Sequence, residues 1–125
     1  MEGISEVKKA TDHAKLMINF SRSFTAVQDL VHLMAREKGW WDELRNDGEM
    51  IALMHSELSE VLEALRQGSA PIDRKTGHSA VAVELADCII RIMDYAAGRG
   101  YNVADALIAK MQYNGTRPRK HGKEF

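Results

Sequence analysis

The sequence predicts an all-α fold, an antiparallel four-helix bundle, on three observations. Apolar residues recur at helical spacing in four stretches joined by short connections, each stretch with one apolar face. Only 2 of 125 residues are proline, and aromatics make up 6%. Ala, Leu, Met, Glu and Lys, all good helix formers, are abundant. Faces left uncovered in such a bundle are expected to drive oligomerisation.

Residues 1–22 carry scattered apolar positions (Ile4, Val7, Leu16, Ile18, Phe20) without a clean period, so they read as a leader, either a short helix or a mobile arm. The domain proper is residues 23–125. Its first helix spans about Ser23 to Lys38, with Phe24, Val27, Leu30, Val31 and Met34 at helical spacing and Gly39 as the stop. Trp40 and Trp41 stand at its exit. The second helix starts at Asn46, whose side chain can cap while Glu49 completes a capping-box-like pair, and runs to about Gln67 along Ile51, Met54, Leu58, Val61, Leu62 and Leu65. Gly68 to Gly77, with Ser69, Pro71, Asp73 and Thr76, is the one long loop. A third helix covers about Ser79 to Ala97, ended by Gly98 and Gly100. Asn102 caps the fourth, which holds Val103, Ala106, Leu107, Ile108 and Met111 and closes at Gly115 and Pro118.

This length bounds the chain to one domain with a core that needs no disulfide, and 1 cysteine cannot form an internal one. The opening Met1-Glu2-Gly3-Ile4-Ser5-Glu6 is acidic where a signal peptide is basic, and no early apolar run is long enough for an h-region or a span. A cytoplasmic protein without membrane attachment is expected. With 17 Lys+Arg against 18 Asp+Glu there is no basic field for a nucleic-acid polymer, so any anion must meet a local site. The charge is nonetheless uneven: Lys110, Arg117, Arg119, Lys120 and Lys123 make the tail basic, and acids crowd the middle.

The third helix is the most informative. At about 100° per residue, Glu84, Asp87, Arg91 and Asp94 fall in one stripe of a helix otherwise apolar or small, which places that helix inside a bundle. Glu84 and Asp87, at i and i+3, project together, and close carboxylates at reduced solvation repel unless a cation or proton sits between them. Glu57 and Glu60 on the second helix repeat the spacing. Four carboxylates with no Cys or His suit Mg²⁺, or Mn²⁺ as a substitute, and suit Zn²⁺ poorly. Singly, such glutamates are more often a solvated helix face; their joint pattern is what points to a metal. A di-iron bundle would need paired Glu-x-x-His motifs, which are absent; Asp29-x-x-His32 is the nearest approach. Mg²⁺ on carboxylates beside basic residues fits a polyphosphate, and Trp40-Trp41 near His32 offers a stacking surface for a base. On their own the tryptophans read more readily as a core or oligomer contact, and His32 as a hydrogen-bonded helix histidine.

Glu57-Leu58-Ser59-Glu60 followed by Glu84-Leu85-Ala86-Asp87 resembles the ExxE…ExxD signature of the all-α nucleoside triphosphate pyrophosphohydrolases, most closely the MazG-like group. Lys110-Met111-Gln112-Tyr113-Asn114-Gly115-Thr116-Arg117-Pro118 with His121-Gly122 is similar to that family's closing segment, and His32 and Trp40-Trp41 extend the likeness over about residues 23 to 125. The resemblance implies Mg²⁺-dependent attack of water on the α-phosphorus of a (d)NTP, giving (d)NMP and pyrophosphate, as in nucleotide-pool house-cleaning. It implies that Glu57, Glu60, Glu84 and Asp87 are catalytic and hold metal, with one of them, or a metal-bound hydroxide that they orient, as the general base; of the four, Glu60 is the one expected to orient the water. It further implies that Lys110, Asn114 and Arg117 contact phosphates, that His32 and Trp41 lie near base and sugar, and that the chain is a homodimer or homotetramer.

Two departures stand out. Ser56 precedes Glu57 where many members have adjacent glutamates, and Gln67 and Arg91 replace aromatics of some dCTP-cleaving relatives, so base preference does not transfer. Arg91 is free to pair with Asp87 or Asp94 or to reach a phosphate. Two other functions are kept as alternatives: a phosphoribosyl-ATP pyrophosphohydrolase, which shares the bundle and metal pairs but against which the Trp40-Trp41 exit and the closing segment argue, and a non-catalytic helical oligomerisation or partner-binding module in which the acids are structural.

Overall fold

In a computed structural model residues 2–68 and 72–125 are described; Ser69 and Pro71 of the expected loop lie outside the described residues. The described residues are all-helical, with no strand: α1 (Glu2–Glu37), α2 (Asp47–Arg66), α3 (Ala80–Arg99), α4 (Val103–Gly115) and a 3₁₀ turn, Arg119–Gly122. Side-chain caps set three of the starts. Asn46 Oδ1 accepts from the Glu49 N–H, Ser79 Oγ from Ala82 and Asn102 Oδ1 from Asp105, each at 3.1 Å. Such a cap is worth about 1 kcal/mol.

Two boundaries differ from the expectation. The helix expected from Ser23 begins at Glu2, so the leader is helical and continuous with the rest of α1. Between Gly3 and Gly39 the sequence has neither glycine nor proline, and Ser21 and Ser23 do not stop a helix whose flanking residues favour it. At the other end of the central region, α3 does not stop at Gly98. It runs through to Arg99, and Gly100, at φ 76°, is the left-handed cap.

The chain divides into two units, each described by itself: Gln28–Gly100, and the residues up to Val27 with Tyr101–Phe125. In the central unit α2 and α3 run antiparallel. Arg99 near the end of α3 donates through Nε to Asp47 at the start of α2 (2.7 Å), Cys88 Sγ donates to the Met54 carbonyl (3.7 Å), and Glu84 meets Glu57 and Glu60. Met50, Ala64, Cys88, Met93 and Ala96 are buried there. After α2, Ile72 bridges to Ser79 across a turn held by Asp73, whose Oδ2 accepts from the Thr76 N–H and hydroxyl.

In the terminal unit Ala104 is buried, Ser21 Oγ donates to Asp105 Oδ1 (2.7 Å), and Phe20 packs on Phe24. No large side chain is fully buried among the described residues. On α3, expected to be enclosed, Leu85, Ile89 and Ile90 are exposed, because one chain supplies too few helices to cover every apolar side.

Candidate carboxylate site

Helical periodicity puts Glu57 and Glu60 on one side of α2 and Glu84 and Asp87 on one side of α3, and antiparallel packing turns those sides together. Glu57, Glu60 and Glu84 each offer a carboxylate oxygen within 4.8 Å of the others. Glu57 is buried, Glu84 half-buried and Glu60 exposed, so the group opens to water through Glu60. Asp87 is not one of this close trio, yet it feels it. Burial, and next the Glu57 charge, raise its carboxyl above the usual range, against the opposing pull of Arg91.

Glu84 carries the highest tension in the cluster. Its Oε2 is buried without a hydrogen-bond partner among the described residues. Ionised carboxylates only accept, so neither Glu57 nor Glu60 can satisfy it unless a proton is held between them. Burial, followed by the hydrogen bond and charge of Glu60, accordingly pushes the Glu84 carboxyl up to about 7. A cation would satisfy the same oxygen. The donors are all carboxylate oxygen, the set that Mg²⁺ or Mn²⁺ prefers, and the orphaned Oε2 fits that need.

One carboxylate already has a partner. Arg91 Nε donates to Glu57 Oε1 at 2.6 Å, a third choice beside the Asp87 and Asp94 pairings open in the sequence. Asp94 instead gathers the aromatic end of the unit. Its Oδ1 accepts from Trp41 Nε1 and from His32 Nδ1, both at 2.8 Å, and its Oδ2 from Arg45 Nη1 at 3.3 Å. Two of those donors, indole and guanidinium, can only donate, so the carboxylate is an acceptor and His32 bonds it through Nδ1–H. Trp41 stands edge-on to His32, ring centres 4.9 Å apart, with the guanidinium carbons of Arg45 and Arg99 5.2 and 5.6 Å from its ring centre. Trp40 is left exposed. It lines a groove of about 270 Å³ with Val31, Met34 and Ala35 of α1 and Ile90 of α3, where Lys38, Arg91 and Asp94 are the polar members.

The structure thus brings His32 and Trp41 together and Glu57, Glu60 and Glu84 together, with Arg91 touching Glu57 and lining the groove. Lys110, Asn114 and Arg117 belong to the terminal unit. There Lys110 Nζ and the Arg117 guanidinium lie 4.8 and 5.7 Å from the Tyr113 ring centre, and Asn114 Oδ1 is buried without a hydrogen-bond partner among the described residues. Sequence reasoning missed Arg45 and Arg99 altogether, since Arg45 lies in the connection before α2 and Arg99 is the last residue of α3, where periodicity carries no signal. Asp94 was visible as an acid on an apolar helix, but its three donors come from positions up to 62 residues away. Comparison with protein-family models, with curated proteins and with solved structures returned no match to this chain.

Proposed function

We propose that the chain is a divalent-cation-dependent nucleoside triphosphate pyrophosphohydrolase of the MazG-like kind, cleaving (d)NTP to (d)NMP and pyrophosphate. The observation that carries the reading is the convergence of Glu57, Glu60 and Glu84 around a buried, unsatisfied Glu84 oxygen. In this reading Glu57, Glu60 and Glu84 hold Mg²⁺, with Asp87 beside them. A bound Mg²⁺ supplies Lewis-acid polarisation of a phosphoryl oxygen and makes water more acidic. Glu60, the solvent-exposed member, orients the attacking water and takes its proton. The groove beside Arg91, walled by Trp40 and aliphatic side chains, accepts an apolar ring face. Asp94 locks His32 and Trp41 in place, so the aromatic end is organised before substrate arrives. The resemblance assigns phosphate contacts to Lys110, Asn114 and Arg117, and association into a dimer or tetramer of bundles belongs to the same proposal.

The test is pyrophosphate release from a panel of NTPs and dNTPs with Mg²⁺, with EDTA and with Glu60→Ala. Release that requires metal and falls about 10²- to 10⁴-fold in Glu60→Ala is the expected result. The Arg91–Glu57 pair favours one other reading, a non-catalytic helical module whose acids are structural. That module predicts silence across the panel and a melting temperature that Mg²⁺ does not move. Silence with a Mg²⁺-dependent rise in melting temperature would instead direct attention to a narrower substrate such as phosphoribosyl-ATP.

A further inference from the structure

We propose that Arg91 is a resident counter-cation of the carboxylate cluster, which yields Glu57 to an entering divalent cation and turns its guanidinium to the adjoining groove. This rests on the metal reading of the carboxylate trio and adds to it a coupling between cation entry and the charge of the groove. Arg91 follows Asp87 by one helical turn, so it shares the stripe of the acids while reaching across to α2. Its Nε lies 2.6 Å from Oε1 of Glu57, the most buried acid of the trio, whose side chain is only 10% exposed. Without a cation, that contact neutralises the carboxylate least able to reach water.

The same guanidinium is poorly placed once a divalent ion is bound. A single and a double positive charge a few ångströms apart repel strongly, even with the partial screening of a half-open site. Arg91 has somewhere to go. Its side chain is 35% exposed, and it already lines the groove with Val31, Met34 and Trp40. Released there, it presents a cation to an anionic oxygen of whatever ligand occupies the groove. Lys38 lines the same groove, so the release would add to positive charge already present.

The probe is Mn²⁺ alone, without nucleotide, titrated by paramagnetic resonance into the wild-type protein, Arg91→Met and Arg91→Lys, with near-ultraviolet circular dichroism to check the fold. Arg91→Met is expected to bind Mn²⁺ about tenfold more tightly and Arg91→Lys about as the wild type does. In the wild-type protein, the Arg91 Nε–H nuclear resonance is expected to shift as Mg²⁺ is added. Inorganic tripolyphosphate, in the presence of Mn²⁺, should bind Arg91→Met about tenfold more weakly. Unchanged or weaker Mn²⁺ binding by folded Arg91→Met would overturn the proposal and leave the metal reading standing, with Arg91 holding Glu57 in place. An Nε–H resonance that stays fixed while Mg²⁺ binds would overturn it equally, and needs no variant that folds. If neither folded protein binds Mn²⁺, the metal reading fails first and this proposal with it.

Discussion

Asp94 shows how much one side chain can hold. It is buried on α3, and three donors from two other segments converge on its two oxygens. Replacing it by alanine leaves the Arg45 charge and two N–H groups without an acceptor, with little solvent to turn to. Asp94→Ala is therefore expected to cost about 3–5 kcal/mol, measured by urea denaturation, and to lower substrate affinity through the freed His32 and Trp41. Gly98 is the complementary case. A Cβ there would overlap Cη2 and Cζ2 of the Trp41 indole, so the glycine read as a helix stop is a seat for the ring. Gly98→Ala gains up to about 1 kcal/mol of helix propensity, but displaces an indole held at 2.8 Å from Asp94. A net loss of about 1–3 kcal/mol is expected, visible as a lower denaturation midpoint and altered tryptophan fluorescence.

At the scale of elements, α2 and α3 are drawn together by apolar packing and pushed apart by their acids. The Glu84 carboxyl, raised from 4.5 to about 7, holds in the folded state a proton that the unfolded chain releases. The folded state is then favoured below pH 4.5 and loses that advantage as pH rises through about 7, and Asp87, raised as well, acts in the same sense. Asp73 acts oppositely: its carboxyl is held below the usual range by the Thr76 hydroxyl and N–H, so its contribution disappears only in stronger acid. In EDTA, the melting temperature is expected to fall between pH 4.5 and about 8, and Glu84→Gln to flatten that fall. Added Mg²⁺ should restore the wild type and not the variant. Element positions were largely legible, because caps such as Asn46 and Asn102 and the apolar stripes act within a few residues. The leader was not, because a helix with scattered apolar residues lacks the periodic signal that marks a packed one.

For the whole molecule, the telling feature is apolar surface. Ile4 and Val7 on α1 are 77% and 67% exposed, and Leu58, Leu62 and Leu65 of α2 are about half exposed or more. Repeated exposure along helix faces is unusual for a chain meant to remain alone in water. Light scattering behind size exclusion is expected to return a multiple of 14.0 kDa. Replacing Ile4 and Val7, or Leu58 and Leu62, by glutamate should lower that multiple for whichever face associates. A monomer in every case would remove association from the proposal. Among the described residues no helix is long and apolar enough to cross a membrane.

By itself the sequence determined the positions of α2, α3 and α4, the caps Asn46 and Asn102, and the fact that pairs of acids share a helix face, since each follows from interactions a few residues apart. It also determined that the two acidic motifs offer carboxylate oxygens with no His or Cys in their spacing. Tertiary structure decided the rest: that Glu57, Glu60 and Glu84 form the close trio and Asp87 stands beside it, that Arg91 takes Glu57, that Asp94 collects His32, Trp41 and Arg45, and that Gly98 makes room for Trp41. Those outcomes depend on the rotation and register of one helix against another. A shift of one residue along a helix turns a side chain by about 100°, and no local pattern encodes which partner then lies within hydrogen-bonding reach.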